Sequence, residues 1–221
     1  MAIISYIIAD DHEVFRHGIR NVLNRDHKLK CLGEVKNGKE LMDTLRTCKP
    51  HVVLLDMKMP EMDGVQVTTQ IKEQYPEIRI LILTMYDDEE VILHMLDMGV
   101  NGYLVKTATP TEIIKAIHKV YEEDYYLSDM VSKLMLKSRH QKNNLPLRYK
   151  KDVELSSKEK EVLRLMCLEL TTSEIGARIF LSPRTVEGIR RSLLEKLEVR
   201  SSTGLIIYAV KNGISEDSET S

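Results

Sequence analysis

Cysteine is scarce in this 221-residue chain, and its three copies, Cys31, Cys48 and Cys167, lie far apart without Cys-x-x-Cys spacing. That pattern excludes a disulfide framework and a cysteine metal site, and it points to reduced thiols in a cytoplasmic protein. No apolar run approaches the roughly eighteen residues needed to span a bilayer, so no membrane partner is expected. The opening MAIISYIIADD lacks a basic stretch and a small-residue cleavage site, which argues against a signal peptide. A Gly-x-Gly-x-x-Gly motif is missing after the first apolar run, and Gly-x-x-x-x-Gly-Lys-[Ser/Thr] is missing throughout, so a nucleotide-cradling loop is excluded. There is no internal repeat.

What remains is an ordinary globular composition, 43 % hydrophobic and 30 % charged, with a net charge of −2. The small net charge hides an asymmetry. Residues 1–141 carry 18 Lys+Arg against 22 Asp+Glu, or −4; residues 142–215 carry 14 against 9, or +5; residues 216–221 add −3. An acidic front and a basic back imply two modules, the second suited to a polyanion.

In the first module short apolar runs alternate with amphipathic stretches. Strands are expected at Ile3–Ala9, Lys30–Val35, His51–Leu55, Ile78–Leu83 and Gly102–Val105. Helices are expected around Glu13–Arg25, Gly38–Thr47, Val65–Gln74, Glu89–Asp97 and Pro110–Glu122. This order implies an α/β doubly wound, five-stranded parallel sheet with helices on both faces. The all-apolar run before Asp56 is a central strand, and the second strand is an outer one.

Chemistry in such a sheet collects beyond the carboxyl ends of the strands. One aspartate there is usually a strand end reaching solvent, but here the set is Asp10-Asp11, Asp56, Thr84 and Lys106. Crowded carboxylates repel by roughly 4 kcal/mol per pair at about 4 Å and an effective dielectric near 20. A cation is needed, and oxygen ligands suit Mg²⁺. With Lys106 and Thr84 beside it, the crevice would hold a phosphoryl group, with Asp56 as nucleophile. Pro60 and Gly64 would shape the next loop, Gly64 by tolerating unusual backbone angles. Position 58 is lysine, not the second acid an aspartyl phosphatase would want, so steady turnover is not expected.

The segments ADDHEVFRHGI, LLDMKMPEMDG, LTMYDDEE and GYLVK together resemble the receiver domain of two-component response regulators over about residues 3–122. The resemblance implies a flavodoxin-like receiver whose Asp56 takes a phosphoryl group from a sensor histidine kinase. It also implies Mg²⁺ ligands in Asp11, Asp56 and the backbone carbonyl of Lys58, with Asp10 acting through water. Lys106 would hold the phosphoryl group; Thr84 and Tyr103 would be the switch pair, the ring moving inward. Thr107 stands where many receivers have proline.

Residues 153–213 are helical in pattern. Ser156 and Glu159 form a capping box before Val162, Leu163, Met166 and Leu170, and a short helix is expected near Thr172–Ile179. The third follows Ser182 and Pro183, the favoured cap order. On it Val186, Leu193 and Leu197 make a buried stripe, leaving Arg184, Glu187, Gly188 and Arg191 on the other side. The anchors LSSKEKEVLRL, SEIGARIFLSPRTVE and LLEKLEVRSSTGLIIYA resemble the LuxR-type helix-turn-helix domain, an all-α four-helix unit. Paired with a receiver, they make the chain similar to NarL/FixJ-type response regulators. By that resemblance Arg184, Thr185, Glu187, Gly188 and Arg191 read double-stranded DNA, Lys196 and Arg200 contact phosphates, and Ser202–Lys211 serves dimer contact. Ile189 replaces a histidine that many members carry.

The expected layout is a receiver at 1–125, a linker at 126–152 with a helical first half, the DNA-binding domain at 153–214, and an acidic tail at 215–221. The expected function is a cytoplasmic transcription regulator, phosphorylated on Asp56 and thereby switched to a homodimer on DNA. The alternative is constitutive DNA binding, with the receiver as a docking module.

Overall fold

The computed structural model describes residues 2–140 and 153–215. The expected polar linker QKNNLPLRYKK and the acidic tail after Ser215 lie outside the described residues. The chain divides into two compact units between Ser128 and Asp129.

In the first unit β1 (Ile4–Ala9), β2 (Leu29–Val35), β3 (Val52–Leu55), β4 (Arg79–Thr84) and β5 (Gly102–Val105) alternate with α1 (Glu13–Leu23), α2 (Gly38–Leu45), α3 (Gly64–Gln74), α4 (Glu89–Asp97) and α5 (Pro110–Glu123). The sheet is parallel, in the order β2-β1-β3-β4-β5, so β3 is central and β2 is an edge strand. β3 begins at Val52, not His51, because pairing with β1 starts at the Tyr6–Val52 register. The His51 ring instead accepts the Ser5 N–H on Nδ1 at 2.9 Å.

Burial explains the layers. Tyr6, Ile8, Val52, Leu54, Leu81 and Leu104 form one apolar face under Leu23 of α1 and Ile113, Ala116, Ile117 and Val120 of α5. The alternate residues Ile7, Val53, Leu55, Ile80 and Ile82 are equally buried, so the opposite face is covered too. A two-sided sheet needs strands apolar throughout.

Helix starts follow local chemistry. Asn37 caps α2, Asp63 and Gln66 form a capping box on α3, and Thr109 caps α5 with Pro110 in its first turn. Gly64 corrects an expectation. Its backbone angles are ordinary; the residue with positive φ in that loop is Glu61, at 66°. Glycine is needed because a Cβ at 64 would stand 2.9 Å from both the Asp56 carbonyl oxygen and Met57 Cα.

The second unit contains α6 (Asp129–His140), α7 (Ser157–Cys167), α8 (Thr172–Arg178), α9 (Pro183–Leu197) and α10 (Ser202–Lys211). Capping boxes open α7 (Ser156, Glu159) and α8 (Thr171, Glu174), and Ser182 caps α9. Between α8 and α9 the Leu181 N–H reaches the Gly176 carbonyl at 2.9 Å. A Cβ on Gly176 would stand 2.6 Å from the Leu181 oxygen, so the tight turn requires glycine there. α10 packs on α6, α7 and α9 and is buried along nearly its whole length. No helix among the described residues is long and apolar enough to cross a membrane.

Candidate functional site

The sheet brings its chemistry to one end. Backbone bonds continue past the strands: Asp10 N–H to the Val35 carbonyl (3.0 Å), Asp56 N–H to Ala9 (2.9 Å) and Lys106 N–H to Thr84 (2.7 Å). Asp10, Asp56 and Lys106 are thereby held in register at the carboxyl ends of β1, β3 and β5.

Lys106 Nζ lies 2.7 Å from Asp56 Oδ2 and 2.8 Å from Asp10 Oδ2, with all three side chains buried. It also sits 4.8 Å from the centroid of the Phe15 ring, a cation–π contact. Burial alone would lower the lysine pKa, but hydrogen bonds and charge from Asp10 and Asp56 outweigh it and hold the pKa above the ordinary value. The other carboxylate oxygens are bonded to backbone: Asp56 Oδ1 accepts the Met57 N–H at 2.7 Å, and Asp10 Oδ1 accepts that of His12 at 2.9 Å. Asp11 stands at the exposed mouth, its Oδ1 2.7 Å from His12 Nδ1. Ligand atoms of Asp10, Asp11, His12 and Asp56 all lie within 4.8 Å of one another. Three carboxylates in that space suit a hard, oxygen-seeking cation.

Two further residues meet the same end. The Thr84 side chain is fully buried, and its hydroxyl has no hydrogen-bond partner among the described residues. A buried hydroxyl left unpaired carries a desolvation cost, which an oxyanion beside it would relieve. Tyr103 is fully buried, with its hydroxyl donated to the Tyr86 carbonyl at 2.9 Å. Burial, then the charges of Asp56, Asp87 and Asp88, push its pKa up. Its ring lies in the protein interior. Lys58 is exposed, with its ammonium 4.4 Å over the Tyr86 ring. Met57 and Met59 are buried packing residues.

In the second unit the α9 stripe of Val186, Leu193 and Leu197 is buried, and Arg184, Thr185, Glu187, Gly188 and Arg191 share its exposed side. The Thr185 hydroxyl is engaged with the Ser182 cap at 2.8 Å. Arg200 is exposed. Lys196 is not free: its Nζ lies 2.9 Å from Glu159 Oε2, so a phosphate contact requires a change of partner. One residue was missed. Arg190 is buried and bonds Thr172 Oγ1 (3.0 Å), Glu187 Oε2 (3.1 Å) and Ser202 Oγ (2.7 Å). A signal for it was present: an arginine four residues after Val186 and three before Leu193 sits on the apolar stripe.

Comparisons with known proteins agree with the two-unit fold. Residues 6–118 match the family described as response regulator receiver domain, and residues 153–209 match the bacterial regulatory proteins of the luxR family. The transcriptional regulatory protein YhcZ of Bacillus subtilis is 35 % identical over 93 % of this chain and 94 % of its own. RcsB from Salmonella enterica serovar Typhimurium, solved bound to a promoter in the presence of the phosphomimetic BeF3⁻, is 28 % identical. It covers 95 % of this chain and 98 % of its own, with a TM-score of 0.57. A structure of two RcsB dimers bound to two parallel DNAs is also 28 % identical, covering 95 % and 98 % with a TM-score of 0.58.

Proposed function

Because this chain belongs to the response regulators that join a receiver to a LuxR-type DNA-binding domain, we propose that Asp56 accepts a phosphoryl group from a sensor histidine kinase and that this switches dimerisation and operator binding in the cytoplasm. The family regulates transcription and is not a class of metabolic enzymes. The observation that carries the proposal is the Lys106 ammonium held 2.7 Å from Asp56 and 2.8 Å from Asp10, at the same sheet end as the Thr84 hydroxyl, which has no partner among the described residues.

In the step itself an Asp56 carboxylate oxygen attacks the phosphorus of the kinase phosphohistidine. An O–P bond forms, the P–N bond breaks, and the imidazole leaves with the bonding pair. Oδ1 stays bonded to the Met57 N–H, while Lys106 leaves Oδ2 for a phosphoryl oxygen. Thr84 donates its hydroxyl to another. Asp10, Asp11, Asp56 and the Lys58 carbonyl would hold Mg²⁺, which when bound supplies positive charge opposite the phosphoryl oxygens. No carboxylate stands at position 58 to activate a water, so the acyl phosphate decays slowly without a turnover substrate. Arg184, Thr185, Glu187, Gly188 and Arg191 enter a major groove, with Arg200 and Lys196 on the phosphates.

Intact mass after treatment with an acyl-phosphate donor and Mg²⁺ decides the first point. One phosphoryl adduct is expected, lost in Asp56→Asn and without Mg²⁺. Gel filtration and duplex binding of the same samples decide the second: unchanged oligomer state and affinity on phosphorylation would leave the constitutive reading standing.

A further inference from the structure

On α9 the buried positions run Val186, Arg190, Leu193, Leu197, so a guanidinium occupies a place on an apolar stripe. Arginine is rarely buried without a task for its charge. The Nη1 group of Arg190 holds Thr172 at the start of α8 and Glu187 on its own helix, while Nη2 holds Ser202 at the start of α10. Thr172 and Ser202 are neutral hydroxyls, whereas Glu187 gives Arg190 an ion pair at 3.1 Å, and the Glu187 side chain is 55 % exposed on the open side of α9.

Glu187 has other choices. Arg184 lies three residues before it and Arg191 four after, spacings at which helical side chains form ion pairs. Either pairing would remove a DNA-facing cation. Among the described residues neither Arg184 nor Arg191 has an ion-pair partner, and Glu187 is bonded to Arg190 by Oε2 alone. Its Oε1 is left without a partner among the described residues. A lone carboxylate would also be repelled by DNA phosphates, whereas a guanidinium 3.1 Å behind it offsets that charge. Next to it Gly188 leaves open space where a Cβ would stand.

We propose that Arg190 is a positioning residue that presents Glu187 to a base edge while keeping it off Arg184 and Arg191. The operator is then read at one base pair through a side chain that touches no DNA itself. The partner is the cytosine amino group, a donor that a carboxylate oxygen accepts in the major groove. This inference rests on the DNA-binding function proposed above.

The test is selection of bound duplexes from a randomised pool by the full chain, treated with acyl phosphate and Mg²⁺, with thermal unfolding measured alongside. Wild type is compared with Arg190→Met, which suits an apolar stripe, and with Glu187→Gln. Both variants are expected to fold and to lose about tenfold enrichment of cytosine at one shared position, the size of a lost base-edge contact. Glu187→Gln is expected to move that position toward adenine, which an amide can bond on two edges. Should Arg190→Met fail to fold, Arg190→Lys, which keeps the charge without the fork, replaces it. A wild-type profile in either variant, or an equal loss on every sequence, overturns the proposal. If wild type enriches no sequence at all, the DNA reading itself fails and the inference goes with it.

Discussion

Each unit centres on one buried cation facing acidic oxygen, but the two cations differ in kind. In the receiver Lys106 bridges Asp56 and Asp10 as a point charge on a flexible stem. In the DNA-binding unit Arg190 ties three helices through a planar fork. A lysine exchanges partners at little geometric cost, which suits a site whose anion changes from carboxylate to phosphoryl. An arginine fork is rigid and multidentate, which suits contacts that must hold still. The residue types follow the difference between a switch and a staple.

The largest expected effect breaks the staple. Arg190→Ala removes hydrogen bonds to α8, α9 and α10 and leaves a cavity, and should cost about 3 kcal/mol. Hydrogen exchange of the α8–α10 amides is the measurement, and Mg²⁺ should not change the loss. Lys106→Ala should cost about 2 kcal/mol without Mg²⁺, because it removes the counter-charge of two buried carboxylates. Added Mg²⁺ should recover most of it, read as protection of the β1, β3 and β5 ends. Equal Mg²⁺ sensitivity of the two variants would remove the distinction.

A smaller effect concerns an ion pair at the edge of the second unit. Burial raises the Glu159 pKa, but bonds from Ser156 and Lys196 outweigh it and hold the value below the usual carboxylate range. A depressed folded pKa means the stabilisation is present at neutral pH and is lost as pH falls through the folded value. Glu159→Gln should therefore cost about 0.5 kcal/mol at pH 7, with a difference that vanishes in acid once the pH is below the folded value. Denaturant unfolding at both pH values checks it. The smallest effect is at Phe180, which is 94 % exposed with φ at 57°. Phe180→Gly should stabilise by about 0.5 kcal/mol, since glycine accepts that backbone region and little packing is lost. A loss in thermal unfolding would mean that Phe180 packs on something.

Much of the fold was legible because its signals are local. The all-apolar β3, the Ser156 and Ser182 caps and the stripe of Val186, Leu193 and Leu197 all act within about one helical turn or one strand. The acidic set was legible because four strand ends carried polar groups together. The role of Gly64 was misjudged because close approach of the Asp56 carbonyl depends on a loop folding back, which no local pattern reports.

By itself the sequence determined two modules of opposite charge, the alternation of strand and helix, and which residues stand at strand ends or on the open side of α9. Caps and periodicities relate residues a few positions apart, so they are written in the order of the chain. Only the tertiary structure decided the partners: Lys106 with Asp56 and Asp10, Tyr103 with the Tyr86 carbonyl, Lys196 with Glu159, and Arg190 with Thr172, Glu187 and Ser202. Most of those pairings join distant stretches of chain, and even the neighbouring Glu187 had three arginines within reach. Packing selects among them, because a buried charge must find its counter-group wherever the fold has placed one.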